Sequence, residues 1–295
     1  MKFITYSINN KEHLGILSLD GTRVCEINAF LDTRFTDMTQ LITEISDSEL
    51  DLIAKKLETA SESDGLPVTE VVLKAPIPYP IRPLFCLGKN YIDHALETKG
   101  LPGSDDEVPK HPIFFMKIAQ PATATGDIIP NHRAITDMVD YEVELAVVIG
   151  KDGIDITKED SLEHIFGYTI VNDISARNLQ RKHSQWFKGK SLEGFSPMGP
   201  CIVHKSAFTH PLALKITCDV NGQRRQDSNT ENLLFDIPTI IEELSKGMYL
   251  RAGDIILTGT PAGVGLGFTP FKFLKSGDKI TCQIEGIGTL ENTFE

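Results

Sequence analysis

Residues 140–149 read DYEVELAVVI, an apolar run that two glutamates, Glu142 and Glu144, interrupt. A run this rich in valine, leucine and isoleucine predicts a buried β-strand. Because successive side chains of a strand point to opposite faces, Glu142 and Glu144 share one face with Ala146 and Val148. Neighbouring carboxylates repel each other, so water or a cation must accompany them. The pair therefore indicates either a strand end with a solvated acidic face or part of a metal site.

A third carboxylate, Asp173, directly follows the next strand-like run, GYTIVN. Aspartate is also a preferred N-cap, and the residues after it are helix-like, so a capping role is the alternative. Together, Glu142, Glu144 and Asp173 form an all-oxygen ligand set, which suits Mg²⁺, Mn²⁺ or Ca²⁺ better than zinc. Three protein ligands would leave coordination positions for water or substrate, which is typical of a catalytic metal.

Basic and polar residues follow the third carboxylate. The helix-like segment ISARNLQRKH places Arg177 and Gln180 three residues apart, on one face, where both could reach an acid group. The stretch FKGKSLEGFSPMGP then carries Lys188 and Lys190 in a predicted loop, and loops often carry functional residues. Solvated surface side chains are the alternative interpretation of all four residues.

A histidine and a glutamate form a possible acid–base pair in LGKNYIDHALETKG. His94 and Glu97 are three residues apart in a short helical pattern and so share a helix face. A carboxylate can orient an imidazole and stabilise its proton, and the pair can then activate water near neutral pH. A surface pair without function has the same spacing.

The stretch RAGDIILTGTPAGVG predicts a strand followed by a glycine-rich loop that contains Thr260. The loop lacks the order and the lysine of a phosphate-binding P-loop, and no G-x-G-x-x-G joins a strand to a helix, so nucleotide binding is not indicated. Its hydroxyl and backbone N–H groups could instead stabilise an oxyanion. A tight turn without function is equally compatible with the pattern.

Composition narrows the function class. The 295 residues are 41% hydrophobic and carry a formal net charge of −12 without clustered lysine and arginine, which argues against a nucleic-acid partner. The N-terminus has no apolar signal region, and no run of about 18 apolar residues occurs, so we expect a cytoplasmic protein. Five scattered cysteines without a C-x-x-C motif are typical of reduced thiols in a cytosol.

The order of patterns predicts an α+β chain that is mostly β. A small antiparallel unit over 2–28 precedes a helical stretch over 37–59 with a break near 46–48, and a proline-rich extended linker follows at 75–83. Later runs are mainly strand-like, with helical patterns at 91–98, 174–185 and 238–246. We therefore expect a small N-terminal α+β domain, 1–75, and a mixed-sheet or β-roll domain, 76–295.

Taken in order, these motifs resemble the fumarylacetoacetate hydrolase family. The resemblance rests on GKNYIDHALE, the E-x-E of DYEVELAVVIG, GYTIVNDISARNLQ, the KGKS loop and DIILTGTPAGVG, and it runs from about residue 82 to the C-terminus. It implies a β-roll catalytic domain, usually homodimeric, that binds Mg²⁺ or a similar ion and acts on small keto acids. The preceding residues resemble the small N-terminal domain of many bacterial members.

The resemblance also assigns roles to residues. Metal binding falls to Glu142, Glu144 and Asp173, and water activation to His94 and Glu97. Lys190 matches the lysine that meets a substrate oxygen, and the positions assigned to substrate binding are Gln180, Thr260 and Arg177. In the family the segment after the dyad behaves as a lid, so we expect mobility without ligand over 91–108.

The implied reaction is metal-dependent hydrolysis of a carbon–carbon bond in a fumarylacetoacetate-, fumarylpyruvate- or acylpyruvate-like substrate. His94, oriented by Glu97, would take a proton from the attacking water, while Lys190 and the Thr260 loop would stabilise the oxyanion. The alternative is oxaloacetate decarboxylation or isomerisation of a 2-hydroxyhepta-2,4-diene-1,7-dioate at the same site. A non-catalytic scaffold would have no need of repelling acids in an apolar strand.

Overall fold

The computed structural model describes residues 1–60, 64–99 and 108–295. In these ranges the strands are β1 (Lys2–Ile8), β2 (Lys11–Leu17), β3 (Arg23–Glu26), β4 (Leu66–Pro67), β5 (Val72–Leu73), β6 (Leu84–Gly88), β7 (Ile113–Lys117), β8 (Ile128–Ile129), β9 (Val139–Asp140), β10 (Val143–Ile149), β11 (Ile165–Asn172), β12 (Ser175–Ala176), β13 (Met198–His204), β14 (Lys215–Val220), β15 (Gln223–Asn229), β16 (Ile255–Leu257), β17 (Lys279–Ile284) and β18 (Gly288–Phe294). The α-helices are α1 (Met38–Glu44), α2 (Asp47–Thr59), α3 (Ile92–Glu97), α4 (Arg177–Lys182), α5 (Phe187–Lys190) and α6 (Ile237–Ser245).

The strands form two large sheets and one small one. An 11-stranded sheet has the order β4-β3-β2-β1-β13-β11-β10-β16-β6-β7, with β5 paired to β1. A five-stranded sheet has the order β15-β14-β17-β18-β8, and β12 pairs with β9. Most neighbours are antiparallel, but β16 and β6 run parallel, as do β18 and β8. This mixed-sheet architecture with short helices confirms the predicted α+β, mostly β class.

Strand β10 lies in the interior of the large sheet, between β11 and β16. Every residue of β10 is buried, and the two faces pack into different hydrophobic clusters. One cluster receives Val143, Leu145, Val147 and Ile149, and the other receives Ala146 and Val148. A solvated strand end is therefore the wrong interpretation of the acidic pair. Burial of each large aliphatic side chain contributes about 2 kcal/mol, which helps the strand to tolerate two buried acids.

The N-terminal strands extend the same sheet. Asn9 and Asn10 both have positive φ, as a two-residue hairpin turn between β1 and β2 requires. Strand β1 also pairs with β13, with Phe3 opposite Ile202, so the hairpin continues the sheet that carries β10. The division of the chain near residue 75 into two domains stays a prediction.

Helix ends follow ordinary capping rules. The predicted helical stretch over 37–59 divides into α1 and α2, and the break near 46–48 is confirmed. The side chain of Ser46 accepts from Glu49 N while Glu49 binds Ser46 N, a capping box that typically stabilises a helix by about 1 kcal/mol. Helix α6 begins after Asp236, which accepts from Thr239 N, and has proline in its first turn.

Two local predictions change in the structure. The helix predicted over 174–185 is shorter, because Ser175 and Ala176 pair with β9 before α4 begins and Ser184 has positive φ after it ends. The stretch FKGKSLEGFSPMGP, predicted as a loop, begins with the short helix α5. Both changes come from pairing and packing with distant residues rather than from local pattern.

The five cysteines are buried and free, as the sequence predicts. Among the helices in the described part of the chain, none combines the length and apolar character that a membrane-spanning segment needs.

Candidate active site

Three carboxylates meet where β10 and β11 lie side by side. Glu144 belongs to β10, Glu142 directly precedes it, and Asp173 directly follows β11. One oxygen of each residue lies within 4.8 Å of the others, and all three side chains are buried. Because α4 starts only at Arg177, with Ala176 as its N-cap, the capping role considered for Asp173 is wrong. The structure therefore gathers the three predicted metal ligands into one cluster.

Two buried cations contact this cluster. Lys190 Nζ lies 2.6 Å from both Glu142 Oε2 and Asp173 Oδ2, and Arg177 Nη2 lies 2.6 Å from Glu142 Oε1. Burial alone would raise the pKa of Glu142, but the charges of Lys190 and Arg177 outweigh it and lower that pKa. Burial likewise opposes the charge on Lys190, yet Asp173 and Glu142 raise its pKa. The solvated interpretation of Arg177 and Lys190 is therefore wrong, whereas Lys188 is exposed.

Lys117 is a third buried cation, which the sequence patterns did not indicate. Its Nζ lies 2.8 Å from Asp173 Oδ1, donates to Ile174 O at 2.9 Å and also donates to the carbonyl of Lys190. Burial lowers the pKa of Lys117, and Asp173 opposes that shift. Lys117 thus ties the end of β7 to both Asp173 and Lys190. The available signal was a lysine that ends the apolar strand IFFMK.

Glu144 has fewer positive neighbours. Its Oε2 accepts a hydrogen bond from Gly259 N at 2.7 Å. Burial and the nearby charges of Asp173 and Glu142 raise the pKa of Glu144. A carboxylate in such a position gains from a cation that binds all three acids, because the cation would compensate both the burial and the repulsion.

The donor set fits a hard divalent cation. All ligand atoms are carboxylate oxygens, which Mg²⁺, Mn²⁺ and Ca²⁺ prefer. Asp173 Oδ1 is buried and makes no well-directed hydrogen bond to the described residues, even though Lys117 Nζ is close. The acidic triad could therefore hold a metal ion.

His94 and Glu97 form a second part of the site. His94 Nδ1 lies 2.8 Å from Glu97 Oε1, and Glu97 Oε2 accepts from Gly263 N at 2.9 Å. The histidine is only 7% exposed, so the surface-pair interpretation is wrong. Because Nδ1 is bound to Glu97, Nε2 is the ring nitrogen left to act on a substrate.

Asp140 is a further buried acid of the site, which the sequence motifs did not indicate. It is fully buried and accepts from Gly265 N at 2.6 Å, Leu266 N at 2.9 Å and Arg177 Nε at 2.9 Å. Burial raises the pKa of Asp140, and the guanidinium of Arg177 opposes that rise. Asp140 thus fixes Arg177, which in turn contacts Glu142.

The glycine-rich loop uses its donors differently from the prediction. Amide N–H groups between 259 and 266 bind the protein's own carboxylates, those of Glu144, Glu97 and Asp140. The Thr260 hydroxyl donates to Val143 O at 2.9 Å. At Gly263, φ is +105° and a Cβ would lie 1.9 Å from Arg225 O, so only glycine fits there. The loop positions acids, and the oxyanion role expected of its donors stays a prediction.

One cavity of about 290 Å³ connects these parts. Its polar lining includes His94, Glu142, Glu144, Arg177, Gln180, Lys190 and Thr260. Gln180 Oε1 accepts from Arg177 Nη1 at 3.1 Å. Asp173 and Glu97 lie behind the wall, in contact with Lys190 and His94 respectively. Seven of the nine predicted site residues therefore face a common space.

The family model described as fumarylacetoacetate (FAA) hydrolase C-terminal matches residues 83–295. The chain belongs to the fumarylacetoacetate hydrolase family. The match begins close to the predicted start of the resemblance, and the carboxylate cluster, the histidine–glutamate pair and the glycine loop all lie within it.

One relative within the fumarylacetoacetate hydrolase family matches this chain over its full length. Oxaloacetate tautomerase YisK of Bacillus subtilis is 46% identical over 99% of this chain and 99% of its own length. The relative's name thus favours the alternative chemistry considered from the sequence over carbon–carbon hydrolysis. That the chain is an enzyme of this family is supported, whereas hydrolase activity is not confirmed.

Solved structures of family members share the whole fold. A fumarylacetoacetate hydrolase from psychrophilic Exiguobacterium antarcticum is 36% identical, with a TM-score of 0.84 and coverage of 100% of this chain and 99% of that chain. Maleylpyruvate hydrolase from Sphingobium sp. SYK-6, in complex with manganese(II) and pyruvate, is 26% identical, with a TM-score of 0.78 and coverage of 100% and 98%. The predicted lid, 91–108, falls partly outside the described residues, at 100–107.

Proposed function

We propose that this protein interconverts the keto and enol forms of oxaloacetate or a closely related 2-oxo dicarboxylic acid, with a divalent cation as cofactor. The observation that carries the proposal is the shared cavity, in which His94, held through Nδ1 by Glu97, faces the buried carboxylate cluster. Moving a proton at the carbon beside a carbonyl needs a positioned base and stabilisation of the oxygen's developing charge. The tautomerase name of the full-length relative supports this reaction.

Glu142, Glu144 and Asp173 would hold the cation. When bound, a divalent cation supplies Lewis-acid stabilisation for the negative charge that develops on the substrate's 2-oxygen. Lys190 Nζ already contacts two of the three ligand residues, so it lies within reach of a substrate oxygen at the same place. Arg177 and Gln180 line the same wall and can bind the adjacent carboxylate of the substrate.

His94 would move the proton. In the direction from enol to keto, protonated Nε2 gives its proton to C3 while the proton on the 2-oxygen leaves to solvent. In the reverse direction neutral Nε2 is the base that removes the C3 proton, and the 2-oxygen takes a proton from solvent. Glu97 keeps the ring oriented and stabilises its protonated form in both directions.

Hydrolysis of an acylpyruvate is the second candidate function. The histidine–glutamate pair also suits water activation, and maleylpyruvate hydrolase is similar to this chain over its whole length. Hydrolysis would need space for an attacking water and for the acyl group in the same cavity. An assay of candidate substrates therefore also has to measure carbon–carbon hydrolysis.

The test is an assay of purified protein with Mg²⁺ or Mn²⁺. Loss of the enol's ultraviolet absorbance reports tautomerisation of freshly dissolved oxaloacetate, and released pyruvate reports decarboxylation. Acetylpyruvate and fumarylpyruvate, with detection of the acid products, report hydrolysis. We expect ketonisation well above the spontaneous rate, and we expect it to fall in the presence of a chelator. No acceleration with either metal would reject the proposed reaction.

A further inference from the structure

We propose that Arg181 binds the distal carboxylate of the substrate and thereby makes the site selective for 2-oxo dicarboxylates over 2-oxo monocarboxylates. This inference rests on the proposed function, because it assigns the second acid group of the substrate to a place in the same cavity. Arg181 was not among the residues that the sequence motifs indicated.

The position of Arg181 on α4 supports this role. Arg177, at the start of α4, contacts Glu142 at the inner end of the cavity. Arg181 follows four residues later, on the same helix face and about 6 Å further along the axis. Both arginines line the cavity, as does Ser184 just beyond the helix. A separation of about 6 Å along the helix is comparable with the distance between the two carboxylates of a diacid of four or five carbon atoms.

The other cations of the cavity have acidic or other partners within the chain. Arg177 is paired with Asp140 and Glu142, and Lys190 with Glu142 and Asp173. Lys89, which also lines the cavity, has an interaction partner within the chain. Arg181 is exposed, and its side-chain contact is a weak one, from Nη2 to the sulfur of Met138 at 3.7 Å. No ion pair within the described ranges involves Arg181, so its charge remains available to an anion.

The charges at the inner end of the cavity also support a role for Arg181. Four buried carboxylates lie here, those of Asp140, Glu142, Glu144 and Asp173, and the cations that form ion pairs with them among the described residues are Lys117, Arg177 and Lys190. With these groups charged, a divalent cation would change the balance from one negative to one positive charge. One substrate carboxylate would compensate that charge. A second carboxylate needs another cation, and Arg181 is placed to provide it.

Part of the cavity lining is apolar. Phe115 and Trp186 line the cavity and pack against each other edge to face, with ring centroids 5.2 Å apart. Leu87 and Leu266 complete this part of the lining. Apolar lining together with two arginines on one helix face suits a short carbon chain that carries acid groups.

The test compares binding of two ligands with equal carbon number. Calorimetry in the presence of Mn²⁺ measures the dissociation constants of 2-oxoglutarate and 2-oxovalerate, which differ in the distal carboxylate. We expect the wild type to prefer 2-oxoglutarate by about tenfold or more, as expected for a charge-assisted hydrogen bond. In Arg181→Gln the preference should fall to within about twofold, and the KM for oxaloacetate should rise about tenfold with little change in kcat.

The neighbouring Lys182 supplies the matched control. Lys182 is exposed and adjacent in sequence, but it does not line the cavity, so Lys182→Gln changes the net charge equally without removing the contact. An equal loss of preference in both variants would overturn the proposal, because it would indicate a general field effect. No preference in the wild type would overturn it as well. The wild type could also prefer 2-oxoglutarate, and lose this preference in Arg181→Gln, yet show no tautomerase activity. That result would reject the proposed reaction while supporting the role of Arg181.

Discussion

The carboxylate cluster and the histidine–glutamate pair face one cavity but are held very differently. Glu142, Glu144 and Asp173 are fixed by interior strands and by three buried cations. His94 and Glu97 lie on the six-residue helix α3, which connects to the site loop through the bond from Gly263 N to Glu97. In the proposed function, cation binding would depend on residues of interior strands, whereas proton transfer would depend on a small helix. Variants should therefore separate the two tasks.

The largest expected effect comes from removing two ligand carboxylates. The double substitution Glu142→Gln/Glu144→Gln should abolish the rise in melting temperature that Mn²⁺ gives to the wild type. Activity should fall on the order of 10³-fold or more, because the charge stabilisation supplied by the metal is worth several kcal/mol. Glu163→Gln, at an exposed position, is the control and should keep both properties. Equal stabilisation of the double variant by Mn²⁺ would rule out the metal site.

The second effect should be confined to proton transfer. His94→Ala should lower kcat about 10²- to 10⁴-fold, the usual contribution of a general acid–base group. The increase in melting temperature with Mn²⁺ should remain, since the three ligand carboxylates are intact. Unchanged turnover would remove the pair from the mechanism. A lost metal response would show that the two regions are not separable.

Asp140→Asn tests the connection between the regions. Asp140 binds Arg177 on the cluster side and loop amides at 265 and 266, while the same loop binds Glu97. An amide cannot accept all these hydrogen bonds, and it leaves Arg177 with a poorly compensated charge. We expect a loss of about 3 kcal/mol in the free energy of unfolding. The rise in melting temperature with Mn²⁺ and the kcat should both decrease. Asp137→Asn, at an exposed neighbouring position, should change neither the free energy of unfolding nor the two regions. If Asp140→Asn had as little effect as Asp137→Asn, Asp140 would not connect the two regions.

The smallest expected effect concerns a buried histidine outside the site, His204. Burial lowers the pKa of His204 from 6.5 to about 4. The unfolded chain therefore binds a proton before the folded chain does, so stability falls as the pH decreases through this interval. Denaturant unfolding should show that the free energy of unfolding decreases between about pH 7 and about pH 5, and that His204 accounts for about 2 kcal/mol of this decrease. His204→Gln should remove this part of the pH dependence, and His183→Gln, at an exposed site, should keep it.

The sequence predicts what depends on local pattern. Alternation identified the shared face of Glu142 and Glu144, and helical spacing identified His94 and Glu97. Lys117 and Asp140 were missed because their partners are remote in sequence, with Lys117 bound to Asp173 and Asp140 bound to the loop at 265–266. No spacing rule reports such contacts. The homodimer and the physiological metal, implied by resemblance, stay predictions.

Because both faces of β10 are buried, Glu142 and Glu144 also affect how the strand aligns during folding. A shift of the strand by one residue would exchange its faces, so Glu142 and Glu144 would enter the apolar cluster that now holds Val143 and Leu145. There they would lose Lys190, Arg177 and the amide of Gly259, and each uncompensated charge would cost several kcal/mol. Misaligned pairing with β11 is therefore strongly disfavoured. The residues that prepare the site for a cation also specify the alignment of the strand that carries them.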